Sequence, residues 1–79
     1  MGNFGEKNAL IEVSIATEYI TLGQFLKFVH LIDEGGMAKM YLATHEIFVG
    51  GVLESRRGRK LRPGDEIKIG ESSYLIKGK

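Results

Sequence analysis

Five basic residues lie close together in the second half of the chain. They are Arg56, Arg57, Arg59, Lys60 and Arg62, and residues 56–62 include no acidic residue. Guanidinium groups bind phosphate oxygens through paired hydrogen bonds and also stack on unpaired bases. This basic cluster therefore predicts contact with a phosphate backbone. The alternative is a solvated loop whose charges serve solubility.

The net charge of the whole chain conceals this cluster. The 79 residues include 11 basic and 10 acidic residues, which give a formal net charge of +1. Residues 1–34 carry two basic and five acidic residues, whereas residues 35–79 carry nine basic and five acidic ones. Counterion release depends on the charges that contact a phosphate backbone, so the local excess matters more than the total. We therefore expect modest, strongly salt-dependent binding to nucleic acid.

Other kinds of chemistry lack the residues that they need. The chain has no cysteine, which excludes disulfides and thiolate zinc sites. Its two histidines, His30 and His45, are not spaced as a metal-binding pair. The sequence also lacks a nucleophile elbow, a phosphate-binding loop and a dinucleotide fingerprint. It therefore predicts a protein that is not an enzyme and that holds neither a cofactor nor a metal.

No segment of the chain has the character of a membrane span or an export signal. Residues 9–15 form a short apolar stretch that Glu12 and Ser14 interrupt, well below the roughly 20 apolar residues that a span needs. This stretch has no basic leader and no convincing cleavage site. Together with the absence of cysteine, these features predict a cytoplasmic protein without membrane contact.

Two helices are predicted in the middle of the chain, and they must position part of any binding surface. Thr21 and Gln24 have the spacing of a capping box, which predicts a helix over residues 22–32. The Gly35-Gly36 pair is expected to end that helix with a sharp reversal. Good helix formers then predict a short second helix over residues 37–44.

Apolar segments with strand character flank these helices. They cover residues 10–15, 47–49, 52–54, 66–69 and 73–77. Gly50-Gly51 predicts a tight hairpin turn, and Pro63-Gly64 predicts a type II turn. The last strand is expected to be exposed, where it could pair with another copy of the chain. The elements predict one α+β domain over residues 1–79, with two short helices packed on a small, mostly antiparallel sheet and a loose terminus at residues 1–8.

Four short motifs between residues 20 and 69 occur in the order and spacing of a known RNA-binding domain. They are Leu22-Gly23-Gln24-Phe25-Leu26-Lys27, Ala38-Lys39 with Leu42, Ile47-Phe48-Val49-Gly50-Gly51 and Leu61-Arg62-Pro63-Gly64-Asp65-Glu66-Ile67. In this pattern the chain resembles the S-four-like RNA-binding domain (the alpha-L motif), which is named after a ribosomal protein. The glycine pair and the arginine-rich loop are similar to its small stand-alone bacterial subgroup, sometimes called YaaA-like.

The resemblance implies a target and adds two lysines to the candidate RNA-binding residues. It implies a structured RNA, ribosomal or otherwise related to translation, and it matches Lys27 and Lys39 to basic positions on the two helices. The predicted RNA-binding set is therefore Lys27, Lys39, Arg56, Arg57, Arg59, Lys60 and Arg62. Two family contacts are not carried over. Glu34 and Gly35 stand where members commonly have Ser/Thr and an RNA-contacting arginine, and Gly50 stands in place of the turn asparagine.

A role in protein interaction remains open beside RNA binding. An acidic ribosomal or replication-associated protein could dock on the basic loop or on an exposed sheet edge. The sequence does not decide the oligomeric state.

Several residues outside the basic set have structural interpretations. Phe28, Tyr41, Phe48 and Tyr74 are expected in the core rather than stacked on bases. Gly35-Gly36-Met37 is expected to form a turn between helices, with phosphate binding through its N–H groups as the alternative.

Overall fold

The computed structural model describes residues 10–78, in which two helices accompany seven strands. The helices are α1 (Leu22–Phe28) and α2 (Ala38–Thr44), and a 3-10 turn (Gly35–Met37) leads into α2. The strands are β1 (Leu10–Ile15), β2 (Ile20–Thr21), β3 (Ile47–Val49), β4 (Val52–Leu53), β5 (Lys60–Leu61), β6 (Glu66–Ile69) and β7 (Ser72–Gly78). The loose terminus predicted at residues 1–8 lies outside the described residues.

The strands form one sheet of five strands and one ribbon of two. The sheet has the order β1-β7-β6-β3-β4, and only the pairing of β1 with β7 is parallel. In the ribbon, β2 and β5 run antiparallel, with Ile20 opposite Leu61 and Thr21 opposite Lys60. This architecture confirms the predicted α+β class, with two short helices and a mostly antiparallel sheet.

The core joins α1 to the inner face of the sheet. Leu22, Phe25 and Leu26 are fully buried along one stripe of α1. Phe25 packs edge-on against Tyr74 of β7, with the ring centroids 5.2 Å apart. Leu61 of the ribbon is also fully buried, so β5 is anchored to the same core as the helices. Lys60 and Arg62, on either side of Leu61, are therefore held in place by a strand that is anchored in the core.

The aromatic residues expected in the core have three different outcomes. Tyr74 is buried, as predicted, whereas Tyr41 and Phe48 are only partly buried. The prediction for Phe28 is wrong, since its side chain is 57% exposed. Phe28 falls outside the Leu22-Phe25-Leu26 stripe because it follows Gln24 by one helical turn, on a different side of α1.

The prediction that the final strand is exposed is wrong as well. β7 lies inside the sheet, with β6 on one side and β1 on the other. Its register with β1 runs from Leu10 opposite Ser73 to Ile15 opposite Gly78. The first strand therefore uses the backbone hydrogen bonds through which β7 could have paired with a second copy.

The first helix ends four residues earlier than predicted. Its end is a Schellman motif, in which the N–H groups of His30 and Leu31 donate to the carbonyl oxygens of Lys27 and Leu26 at 3.0 and 2.9 Å. His30 occupies the left-handed position of the motif, with φ of 66°. Leu31 then packs against the core, which favours this early end over continuation of the helix.

The Gly35-Gly36 pair begins a helical segment instead of ending one, so its predicted role as a terminator is wrong. Both glycines belong to the 3-10 turn before α2, and neither has a positive φ. The reversal between the helices is made by His30 and the residues after it. The predicted second helix is confirmed to within one residue.

Both predicted turns of the sheet region are confirmed. Gly50 and Gly51 have φ of 60° and 86° and join β3 to β4. In the turn before β6, the N–H of Asp65 donates to the carbonyl oxygen of Arg62 at 2.9 Å, and Gly64 has φ of 99°.

We expect His30→Gly to raise the free energy of unfolding by about 0.5–1 kcal/mol. A residue with a Cβ is strained at φ of 66°, and glycine removes that strain, although it also gains entropy in the unfolded chain. Urea denaturation measures the change. His45→Gly, at an extended position just after α2, serves as the control and should not stabilise the protein. A destabilised His30→Gly variant would contradict this account of the helix end.

Candidate nucleic-acid interface

The loop that carries most of the basic cluster is organised by one acidic residue, Glu54. Glu54 follows β4, is 7% exposed, and its N–H donates to the carbonyl oxygen of Ile47 at 2.8 Å. Its Oε2 accepts hydrogen bonds from the N–H groups of Ser55 and Arg56 at 3.1 and 2.9 Å and from Arg56 Nε at 3.0 Å. Its Oε1 accepts from Arg56 Nη2 at 3.1 Å and from Arg59 Nη1 at 3.0 Å. One carboxylate thus holds both ends of the loop.

These contacts favour the charged form of Glu54. Hydrogen bonds from the side chain and backbone of Arg56, with a smaller contribution from Arg59, lower the pKa of Glu54 to about 2 against the opposing effect of burial. The same contacts raise the pKa of Arg56. At neutral pH the loop therefore contains a buried carboxylate paired with two arginines.

The basic residues of the cluster are consequently not equivalent. Among residues 10–78, the ion pairs join Arg56 and Arg59 to Glu54, and Lys77 to Glu12. The other basic residues of the loop and α1, namely Lys27, Arg57, Lys60 and Arg62, form no ion pair within that range. Sequence reasoning missed Glu54 because it lies two residues before the basic window. An acidic residue directly after an apolar strand, with arginines two and five positions later, was the available signal.

The loop is fixed to the start of α1 by backbone hydrogen bonds. The N–H groups of Leu22 and Gly23 donate to the carbonyl oxygens of Arg59 and Arg57 at 2.8 and 2.9 Å. The capping box supplies two further bonds, from Gln24 N–H to Thr21 Oγ1 at 3.2 Å and from Thr21 N–H to Gln24 Oε1 at 2.9 Å. Free N–H groups at the helix start are thus satisfied partly by the loop itself, which holds the basic residues against α1.

Gly23 lies where the basic loop packs against the helices. A Cβ built on Gly23 would lie 3.4 Å from the carbonyl oxygen of Arg57 and 3.5 Å from the Cβ of Ala38. The starts of both helices and the loop therefore meet at this point. A shallow groove there is lined by Lys27 and Arg57, together with Gly35, Ala38 and Gly58.

The second predicted lysine, Lys39, is not brought to this groove. It is exposed on α2 next to Ala38, which does line the groove, but Lys39 itself does not. The structure therefore places Lys27 and Arg57 together and leaves Lys39 to one side of them.

The other part of the basic surface lies on the ribbon. Side chains alternate along a strand, so burial of Ile20 and Leu61 on one face leaves Tyr19, Thr21, Lys60 and Arg62 on the other. The Lys60 Nζ lies 5.0 Å and the Arg62 Cζ 5.6 Å from the centre of the Tyr19 ring, within cation–π distance. Tyr19 was missed by sequence reasoning because its neighbourhood depends on the pairing of β2 with β5.

A second groove connects the ribbon with the arginines of the loop. It is lined by Arg56, Gly58, Arg59, Lys60 and Arg62. Gly58 lines this groove as well as the one at Lys27 and Arg57, so the two grooves meet at the loop. Such a surface presents cations along an extended path, which is the arrangement that a phosphate backbone requires.

The remaining candidates lie away from this surface or have structural roles. His45 stacks on Tyr41 with ring centroids 3.9 Å apart, and His45 Nδ1 is 3.1 Å from the carbonyl oxygen of Tyr41. Within residues 10–78, no group of three side chains is arranged to hold a metal ion. None of the helices in that range is long and apolar enough to cross a membrane.

Comparison with known proteins agrees with this geometry. The profile of the S4 domain matches residues 13–77, which include both helices, the ribbon and the basic loop. The chain belongs to the S4 domain family. It is also 54% identical over 65 residues to the probable ribosome maturation protein RlbA of Bacillus subtilis (strain 168), a match that covers 81% of this chain and 92% of that protein. These findings confirm the resemblance drawn from the four motifs and extend it to β1 and β7.

Proposed function

We propose that this S4-domain protein binds structured RNA, ribosomal or ribosome-associated, through its basic surface and without catalysis. The observation that carries the proposal is the path of cations from Lys27 and Arg57 on one side of the loop to Lys60 and Arg62 on the other. The relative named as a probable ribosome maturation protein supports the ribosomal choice. Action on ribosomal RNA in turn implies a cytoplasmic location.

The proposed mechanism is recognition of RNA shape through phosphate contacts. An RNA duplex hides its base edges in a deep, narrow major groove, so a rigid cationic surface can follow the backbone without reading the sequence. Lys27, Arg57, Lys60 and Arg62 supply charges that no carboxylate of residues 10–78 neutralises. Arg56 and Arg59 shape the loop while paired with Glu54, and their remaining N–H groups can still donate to RNA.

The salt dependence of binding tests this proposal. About three to five phosphate contacts predict that log K falls with log salt at a slope of roughly −2 to −4 between 50 and 200 mM KCl. Fluorescence anisotropy with a labelled RNA hairpin that contains an internal loop measures the slope. Absence of binding at 50 mM KCl, or a slope near zero, would contradict the proposed function.

One observation also favours contact with a protein. β4 is an edge strand of the sheet, and its Val52 and Leu53 are 64% and 57% exposed. Exposed apolar residues on a sheet edge suit strand addition or packing by a partner. Purification from cells with and without nuclease separates the two roles. RNA lost on nuclease treatment supports the proposed function, whereas a protein retained after it supports the edge-strand contact.

A further inference from the structure

Two exposed aromatic residues line one groove beside the basic surface. Phe28, at the end of α1, is 57% exposed, and Tyr19, just before β2, is 38% exposed. The groove between them has a volume of about 550 Å³. Its other lining residues are Thr17, Glu18, Ile20 and Gln24.

Phe28 has no role in the core that would explain its position. The buried stripe of α1 is complete with Leu22, Phe25 and Leu26, each fully buried, and the chain leaves the helix directly after Phe28. Phe28 instead shares a side of α1 with Gln24, one turn earlier, and both side chains face the groove. An exposed aromatic ring next to basic residues is typical of surfaces that stack on bases.

Basic residues next to the groove suit the phosphates of an RNA strand. Lys60 and Arg62 lie over the Tyr19 ring, and Lys27, one residue before Phe28 on α1, lines the neighbouring groove. Gln24 lines both this groove and the groove at Lys27, so the aromatic groove continues the basic surface. A bound RNA strand can therefore continue from one groove into the next.

We propose that this groove receives an unpaired nucleobase of the bound RNA, stacked on Phe28 and bordered by Tyr19. The inference rests on the proposed RNA-binding function and adds to it a preference for RNA with a bulged or looped-out nucleotide. Lys60 and Arg62 hold the phosphate next to that base. Glu18 lines the groove and repels phosphate, so the base rather than the backbone occupies it.

A bulge substitution in the RNA tests the inference. Two hairpins of the same stem are compared at 100 mM KCl, one fully paired and one with a single bulged 2-aminopurine. The protein should bind the bulged hairpin about tenfold more tightly, because stacking on an aromatic side chain contributes roughly 1–3 kcal/mol per base. The fluorescence of the 2-aminopurine should change on binding as the base enters its new stack.

Substitutions at Phe28 test whether its ring causes the preference for the bulged hairpin. Phe28→Ala should lose the tenfold preference for the bulged hairpin while it binds the paired hairpin as the wild type does. Phe28→Tyr keeps an aromatic ring and should keep the preference. Met40→Ala removes a 73% exposed apolar side chain from α2, outside the groove, and should change neither hairpin's affinity.

The possible results separate this inference from the function on which it rests. If the wild type binds both hairpins equally, or if Phe28→Ala keeps the preference, the base-stacking groove is wrong and RNA binding stands. Equal binding is also the result expected if an apolar protein segment occupies the groove. If the wild type binds neither hairpin, both the proposed function and this inference are overturned.

Discussion

Glu54→Gln is expected to lower the free energy of unfolding by about 2 kcal/mol at pH 7. The side chain of Glu54 is 7% exposed and accepts five hydrogen bonds from Ser55, Arg56 and Arg59. Glutamine has nearly the same shape, but it presents an NH₂ group to arginine donors where the carboxylate presented an acceptor. Urea denaturation measures the loss. Glu71→Gln, which removes the same charge from an exposed turn, is the control and should stay within about 0.5 kcal/mol of the wild type.

The stabilising effect of Glu54 should disappear in acid. Its pKa in the folded protein is about 2, below the value of 4.5 expected without these contacts. A carboxyl group whose pKa is lowered by folding contributes its full stabilisation at any pH above its pKa in the unfolded chain. That stabilisation is lost as the pH falls toward its pKa in the folded protein. The difference in stability between wild type and Glu54→Gln should therefore be constant from about pH 5 to 7 and shrink between about pH 4.5 and 2. A difference that does not change with pH would contradict the ionised contact.

Glu54→Gln also distinguishes two effects of this residue on RNA binding. The substitution raises the net charge by one, which by itself would tighten binding to RNA. If Glu54 instead holds the loop in a binding conformation, affinity should fall, by roughly threefold or more, despite the added charge. Fluorescence anisotropy at 100 mM KCl shows whether the RNA affinity rises or falls. Tighter binding would show that Glu54 acts on RNA only as an opposing charge.

Removal of unpaired cations from the surface should have the largest effect on RNA affinity. We expect Lys27→Gln with Arg57→Gln, and separately Lys60→Gln with Arg62→Gln, each to reduce the magnitude of the salt slope by about 1.5–2. All four changes together should weaken binding on the order of a hundredfold at 100 mM KCl. Glutamine keeps side-chain length, and none of the four residues is paired with a carboxylate in residues 10–78, so the fold should be retained.

A pair of substitutions on the sheet controls for net charge, although one of them also removes the exposed ion pair of Lys77 with Glu12. Lys68→Gln with Lys77→Gln removes two positive charges from the sheet face that is opposite the buried Ile67 and Ile76. This variant should bind RNA nearly as the wild type does. If RNA affinity falls equally in the control and in the loop variants, binding depends on the net charge of the protein, and the proposed surface is wrong. Alanine at Arg56 or Arg59 is a poorer choice, because it would leave Glu54 buried with fewer partners.

Features that depend on a few neighbouring residues were predictable from the sequence. The capping box at Thr21 and Gln24, the hairpin at Gly50-Gly51 and the turn at Pro63-Gly64 are all confirmed. In each, one side chain or one glycine satisfies a backbone requirement within four residues, so the local sequence contains the complete cause. The order and spacing of these elements also sufficed to indicate the family.

Features that depend on distant pairing were not predictable in the same way. The position of β7 inside the sheet depends on β1, about 60 residues earlier in the chain, and no local pattern specifies that partner. The early end of α1 was missed because His30 is not a residue type that usually marks a left-handed helix end. Leu31 decides that end by packing against a core that exists only in the folded domain.

The basic cluster itself shows the division between the two sources of information. The sequence by itself determined that five cations lie within residues 56–62 and that the family is one associated with RNA. Only the tertiary structure decided that two of them are paired with Glu54, that Arg57 meets Lys27, and that Lys60 and Arg62 lie over Tyr19. Charge is a property of each residue, whereas the availability and direction of that charge depend on which carboxylates, rings and helix ends the fold brings beside it.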